Sequence, residues 1–514
     1  MSTIKKYSAG GSALFLTVLG ILSQMLSFGY RVVLSRMVGA EVMGLYQLVM
    51  SAYAVLMSLS AVGLTACASN LSARYLALEN GRGMEQTRKL CLILLGGAAV
   101  LLGMIVVGFY DPISVYFLGD ARTQLGLVLL LPCVLLTGVE NIHKHIFYGA
   151  GMVRPPAFVE LAEQGIRAAA VLGLLFLFLP QNSERVIGLI VTGMVICEVF
   201  SAVSLFLLYR RYFSGSRVQG KGERRSVVLS HIRDIALPVA VTSLLGNLMG
   251  AANATLIPKK LVEGGMTRSQ AISELGVICG MTLPMLGLPT VFMGALNLVM
   301  VPRLARSVAL GQKENLRRQI CRALTASSVL LLPSMAMMVV LGEDLAVLMF
   351  GQREAGEFLL PLAAAMIFGC YQGIFSGVLS GTNRQGQSAV ISLLCDVVQL
   401  VFVFTIPQIG IKGFVGGTLI SSLLGAGLCA GCAAKVTGVK LPVFECVTAP
   451  VLGAALVGLT GNMLFRYLKD SGCEILISGG ITLLYGVVLY IGALQAQGIS
   501  LRNVFHLRAD QQRK

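Results

Sequence analysis

The residues of this chain able to do chemistry are ionisable side chains set inside long apolar runs. Arg31 and Arg36 lie five apart near the end of the first run, about 140° around a helix, so one or both can face an interior. The competing reading is snorkelling to the membrane interface. A second group comprises Asn247, Asn253, Lys259 and Lys260. A guanidinium binds two oxygens at once and an ammonium acts as a point charge, so a cationic cavity of these six residues suits a phosphate or diphosphate. For the two lysines the alternative is an ordinary exposed loop.

The acids form a separate set. Glu140 with Lys144, and Glu163 with Arg167, are spaced i,i+4 and can neutralise each other on one helix face. Asp396 has no local partner; it can bind a sodium ion or proton for coupling, or pair with Arg167. Asp396, Glu163 and Arg167 are therefore the candidates for ion coupling. His143 and His145 are expected to make ordinary interfacial contacts. Most of the twelve cysteines sit in apolar runs and behave as small hydrophobes; Cys429 and Cys432 form a CxxC with no second pair or nearby histidine, so neither a metal site nor a disulfide framework is expected. No catalytic motif occurs, and residues 210–234 are the longest polar stretch. An enzyme is not expected, nor any cofactor beyond a coupling Na+ or H+.

The elements that must hold these groups are membrane helices. Of 514 residues, 56% are hydrophobic and 12% charged, which excludes a soluble globular or disordered chain. Each crossing needs about 20 mainly apolar residues in helical form. Such runs fall near 12–34, 45–69, 90–109, 125–148, 156–180, 186–209, 235–257, 273–300, 323–342, 358–380, 387–407, 411–434, 444–467 and 474–495, giving about fourteen spans in an all-α polytopic membrane protein. Pro284 and Pro289, amid Gly280, Gly287 and Gly294, predict a bent or unwound eighth span. Residues 1–10, with Lys5 and Lys6, do not read as a cleavable signal, because the apolar run behind them is too long.

The net charge of +16 belongs to topology rather than to nucleic acid. Three loops on one side carry Arg74, Arg82, Arg88 and Lys89; then Arg210, Arg211, Arg217, Lys221, Arg224, Arg225 and Arg233; then Arg303, Arg306, Lys313, Arg317, Arg318 and Arg322. The opposite side carries Asp111, Asp120, Glu343, Asp344, Glu354 and Glu357. Both termini are thus expected in the cytoplasm. Lys259, Lys260 and Arg268 run against the trend and face outward.

Sliding the chain on itself by 230 residues superposes Gly81 on Gly311, Arg88 on Arg318, Cys91 on Cys321, Gly151 on Gly381 and Arg154 on Arg384. Six spans per repeat is an even number, so the two repeats are parallel copies, with spans thirteen and fourteen appended. The expected organisation is an N-lobe over 1–215, a basic cytoplasmic linker over 216–234, a C-lobe over 235–436, two added spans over 437–497 and a tail over 498–514. Under the same shift Lys259 and Lys260 fall on positions 29 and 30, beside Arg31. Paired bundles of this kind can enclose a cavity that opens to alternate sides, the architecture of a transporter.

The segment from Tyr30 to Tyr46, YRVVLSRMVGAEVMGLY, places an arginine pair late in a helix ahead of Gly-Ala-Glu and Gly-Leu-Tyr. It resembles the first hairpin of polysaccharide biosynthesis and export proteins in the multidrug/oligosaccharidyl-lipid/polysaccharide flippase superfamily. Pro302-Arg303-Leu304-Ala305 is similar to that family's connection between spans eight and nine. Within the superfamily the chain most resembles the stage V sporulation protein B-like group, relatives of the lipid II flippases. The resemblance implies two six-helix lobes in a V-shaped transporter, and alternating access. Its implied partner is an undecaprenyl-diphosphate-linked oligosaccharide or peptidoglycan precursor, moved from inner to outer leaflet by a monomer among membrane lipids. Basic first-span residues line the flippase cavity, which carries over to Arg31 and Arg36. The second span departs from the lipid II flippases in having no arginine between Tyr53 and Ala66. Two rival functions stand beside this one: a multidrug/cation antiporter of the same superfamily, and a non-transporting membrane scaffold in envelope or spore assembly.

Overall fold

Hydrocarbon offers no partner to a backbone amide, so the apolar runs fold as helices. The computed structural model describes residues 9–178, 182–213, 222–291, 293, 300, 304, 307–308, 310–439, 442 and 444–498, with side chains from position 18 onward. Lys5, Lys6, Arg217, Lys221, Gly294, Pro302, Arg303 and Arg306, and the tail beyond Gly498, lie outside the described residues. Every regular element among the described residues is helical.

The helices that matter below are α1 (Ala9–Met57), α2 (Gly63–Ala77), α3 (Gly81–Gly108), α4 (Gln124–Gly149), α5 (Arg154–Phe178), α6 (Ser183–Phe213), α7 (Arg225–Glu263) and α8 (Arg268–Leu275). They continue as α9 (Lys313–Val340), α10 (Leu359–Gly381), α11 (Gln385–Val403), α12 (Lys412–Thr437), α13 (Ala449–Asp470) and α14 (Ile475–Ala496). Among the described residues, thirteen helical stretches are long and apolar enough to cross a membrane. The first of them, Val18–Ala77, has 60 residues, well beyond the roughly 20 that one crossing of about 30 Å requires. Gly39 divides it: with φ 79° and ψ 174° it adopts a backbone that side-chain-bearing residues avoid. Spans one and two are the two arms, and the expected count of about fourteen follows.

The chain packs as two compact units, Met1–Gly280 with Val403–Ile411, and Met281–Phe402 with Lys412–Lys514. The first unit is centred on Cys67, Leu71, Tyr75, Cys91, Leu95, Ile142, Phe147 and Tyr209. It takes in α7 and α8, whereas the sequence reading started a second lobe at 235. Backbone proximity accounts for this. The Cys67 thiol donates to the Ile232 carbonyl at 3.2 Å, and a Cβ on Gly63 would lie 2.5 Å from the Ala236 carbonyl oxygen. A Cβ on Gly276 would land on the Ala40 carbonyl oxygen, and one on Gly44 on that of Ile272, so the second and eighth spans cross backbone against backbone. The second unit has one core around Ile320, Ile374, Leu379, Cys429 and Cys446, and another where α9, α13 and α14 meet through Leu332, Met337, Val457, Tyr490 and Leu494.

The repeat is visible in the backbone. Left-handed residues mark equivalent turns at Glu79 and Gly311, Gly119 and Gly351, and Gly151 and Asn383, each pair 232 positions apart. The register is therefore 232 rather than 230. Residue identity misplaces it because asparagine serves as well as glycine in a left-handed turn, so Gly151 corresponds to Asn383 and not to Gly381. The bend expected in the eighth span is present: Gly276–Thr282 forms a wide π-helical turn, followed by a short helix Leu283–Gly287 and a tight turn Leu288–Thr290. Ser58–Val62 interrupts the second span in the same way.

Candidate functional site

Arg31 is half-buried on the first arm of α1 and makes no hydrogen bond or ion pair with a described residue. Arg36 and Lys259 are exposed. Lys260 differs from expectation, because Glu263 holds its ammonium at 2.6 Å and the Phe404 ring lies 5.1 Å away. An i,i+3 pair at the end of α7 thus takes up a cation assigned to the cavity. Asn247 donates to the Ser58 hydroxyl at 2.6 Å, tying α7 to the π-turn of the second span. The Asn253 carbonyl oxygen is buried without a donor.

Near the start of α4 a charge network joins three segments. Arg122 reaches Glu41 at 2.8 Å and Asp120 at 3.0 Å, and Arg268 reaches Asp120 at 3.2 Å. Burial alone would raise the Asp120 carboxyl, but the Arg122 side chain and amide hold it below the usual range. Arg268, expected to face outward, is thereby neutralised.

The buried acids converge between α4, α5 and α6. Arg167 donates to Glu163, as its i,i+4 spacing implies, and also to Glu198 at 3.2 Å and to the Cys197 sulfur at 3.3 Å. Ser201 donates to the second oxygen of Glu163 at 2.9 Å. Lys144 sits 3.9 Å from Glu140 and 2.8 Å from Glu160. Donor atoms of Glu163, Cys197 and Glu198 lie within 4.8 Å of one another, a spacing that could hold a metal, but the guanidinium already takes the position a cation would occupy. Arg167 is committed to acids of the first unit, and Asp396 belongs to the second. That carboxylate has no hydrogen bond or ion pair with a described residue. Sequence reasoning missed Glu198, although a lone carboxylate in an apolar run is the signal that singled out Asp396.

His143 is the second correction. It is fully buried, edge-on to Phe206 and Tyr209, with its Nε2 3.5 Å from Arg88. Arg88 pairs with Glu85 at 2.6 Å and lies over the Tyr209 ring, whose hydroxyl donates to Glu85 at 2.6 Å. Helix α6 runs to Phe213, beyond the sequence-read end of its span, and covers the histidine with aromatic rings. In the second unit Cys429 is buried in the apolar core, 3.8 Å from the Ser376 hydroxyl, consistent with a packing role. A cavity of about 360 Å³ there is lined by Leu283, Met293, Met366, Gly369 and Thr418, a surface suited to hydrocarbon rather than charge.

The model of the polysaccharide biosynthesis protein family matches residues 10–258. Stage V sporulation protein B of Bacillus subtilis (strain 168) is 24% identical over 446 residues, covering 84% of this chain and 85% of that protein. Lipid II flippase MurJ of the same organism is 23% identical over 442 residues, covering 80% and 79%. The chain is homologous to both. Among solved structures, an inward-facing multidrug resistance MATE family transporter of the MOP superfamily superposes with a TM-score of 0.67 at 13% identity, over 83% of this chain and 99% of that one. Lipid II flippase MurJ in an inward closed conformation superposes at 0.61 and 14% identity, over 94% and 98%. The fold is that of the superfamily's transporters, and the chain is a multi-pass membrane protein with bacterial homologues.

Proposed function

We propose that this chain is a flippase that carries a saccharide on polyprenyl diphosphate from the cytoplasmic to the outer leaflet of a bacterial plasma membrane by alternating access, both termini being cytoplasmic. The observation that carries this reading is Arg31. A half-buried guanidinium without an acid partner in a membrane helix is costly unless something supplies the charge, and a diphosphate does so with bidentate geometry. Homology spanning four-fifths of the chain to a protein named as a lipid II flippase supports the same class of cargo. Arg36, Asn247, Asn253 and Lys259 complete the proposed anion site, with Lys260 reduced to a positioning role by Glu263. The apolar cavity suits hydrocarbon, and a Na+ or H+ gradient drives the cycle of a monomer.

In vesicles reconstituted with a polyprenyl-diphosphate-linked saccharide, Arg31→Ala should slow leaflet exchange about tenfold or more, the equivalent of roughly 1.4 kcal/mol, at unchanged unfolding temperature. Equal rates would refute the cationic site. A multidrug/cation antiporter is the second reading, favoured by Asp396, which has no hydrogen-bond or ion-pair partner among the described residues; an effect of Asp396→Asn on resistance to cationic dyes would support it.

A further inference from the structure

Three carboxylates, Glu140, Glu163 and Glu198, are buried together in the first unit, and the bases that reach them are Arg167 and Lys144. Arg167 serves Glu163 and one oxygen of Glu198. Lys144 is closer to Glu160 than to Glu140. One acid is therefore in excess. The side chain of Glu198 is nine-tenths buried or more, with the residue 2% exposed, and its second oxygen, Oε2, has no donor. The carboxyl of Glu140, itself 4% exposed, neighbours that of Glu198. Two ionised carboxylates have no hydrogen to share, so such a contact requires a proton.

We propose that Glu140 and Glu198 form a one-proton site, with Glu140 carrying the hydrogen and donating it to Glu198 Oε2. Glu198 is the ionised partner because Arg167 donates to its other oxygen. The bound proton neutralises the one buried acid that neither base holds closely, since Arg167 meets Glu163 and Glu198 while Lys144 pairs with the half-exposed Glu160. Lys144 links the pair to Glu160, which is 41% exposed and gives the proton an exchange route. From the other side the Tyr53 hydroxyl donates to Thr137 at 2.9 Å, and Thr137 lies against Glu198. The remaining titratable neighbours are Cys133 and Tyr148 on α4 and Cys197 on α6. As the ion that drives transport, this proton rests on the flippase reading; as a bound proton it does not.

The test needs no substrate. Infrared spectra of the full-length protein in detergent at neutral pH should show the carbonyl band of a protonated carboxylic acid, shifted in heavy water. Glu140→Gln and Glu198→Gln should each abolish that band, while Asp396→Asn and added sodium chloride should leave it in place. Absence of the band from the unmodified protein would overturn the proposal without recourse to any variant. So would its survival in both glutamine variants, its loss in Asp396→Asn, or its loss on adding sodium.

Discussion

The two compact units share turns and helix order but differ in what they bury. Under the 232-residue register Glu140 corresponds to Gln372, Glu163 to Cys395 and Arg167 to Gln399. The residue of the second unit that faces this group is Gly425, where a Cβ would land on Gln372 Oε1 and lie 2.9 Å from the Cys395 sulfur. Under the same register Glu198 corresponds to Ala430. A charged cluster thus has a neutral counterpart on the same backbone. Turn residues and helix lengths set the repeat, while the interior chemistry is free to diverge, and burying charge is costly enough that one half alone retains it.

The largest expected contrast comes from removing the central cation. Arg167→Leu strands two buried carboxylates and should cost about 3 kcal/mol or more, whereas Gln399→Leu loses one hydrogen bond, to Thr418 at 3.1 Å, and should cost about 1 kcal/mol. Thermal unfolding in detergent would compare them, and equal shifts would break the contrast. Next come the close approaches. Gly276→Ala drives a methyl into the Ala40 carbonyl oxygen and should destabilise by about 2–3 kcal/mol; Gly425→Ala meets the movable tip of Gln372 and should cost about 1 kcal/mol or less. Smaller again, Tyr209→Phe removes a bond to ionised Glu85 and should cost about 1.5 kcal/mol, against about 0.5 for Tyr371→Phe, whose partner Ser328 keeps the Leu324 carbonyl.

Acid should act on the first unit through Asp120. Its carboxyl is held down in the folded state, so the stability it contributes is complete above its unfolded value near 4 and is lost as pH falls below that. Asp120→Asn should flatten the acid limb of an unfolding-temperature profile. In the second unit the exposed Glu343–Arg353 pair should contribute least, with Glu343→Gln changing stability by less than about 0.5 kcal/mol.

Much of the fold was legible because hydrocarbon imposes one rule on every span: length and apolarity located all fourteen, and i,i+4 spacing located Glu163 with Arg167. Other features depended on tertiary distance. Glu41 and Arg122 are 81 positions apart, and nothing local announces their pairing. The burial of His143 required knowing that α6 lays Phe206 and Tyr209 over it. Attachment of α7 to the first unit follows from backbone approaches that glycine permits but does not dictate. Glu263 beside Lys260 was readable, since i,i+3 pairs are local, and it reassigns one member of the cationic set.

The proposed function centres on Arg31, a cation on the first arm of α1 without an ion-pair partner among the described residues, as the group that binds a diphosphate. Mass spectrometry of lipids that copurify with the protein tests it most directly. A polyprenyl-diphosphate saccharide should be retained by the unmodified chain and depleted in Arg31→Gln; retention of only bulk phospholipid, identical in both, would contradict it.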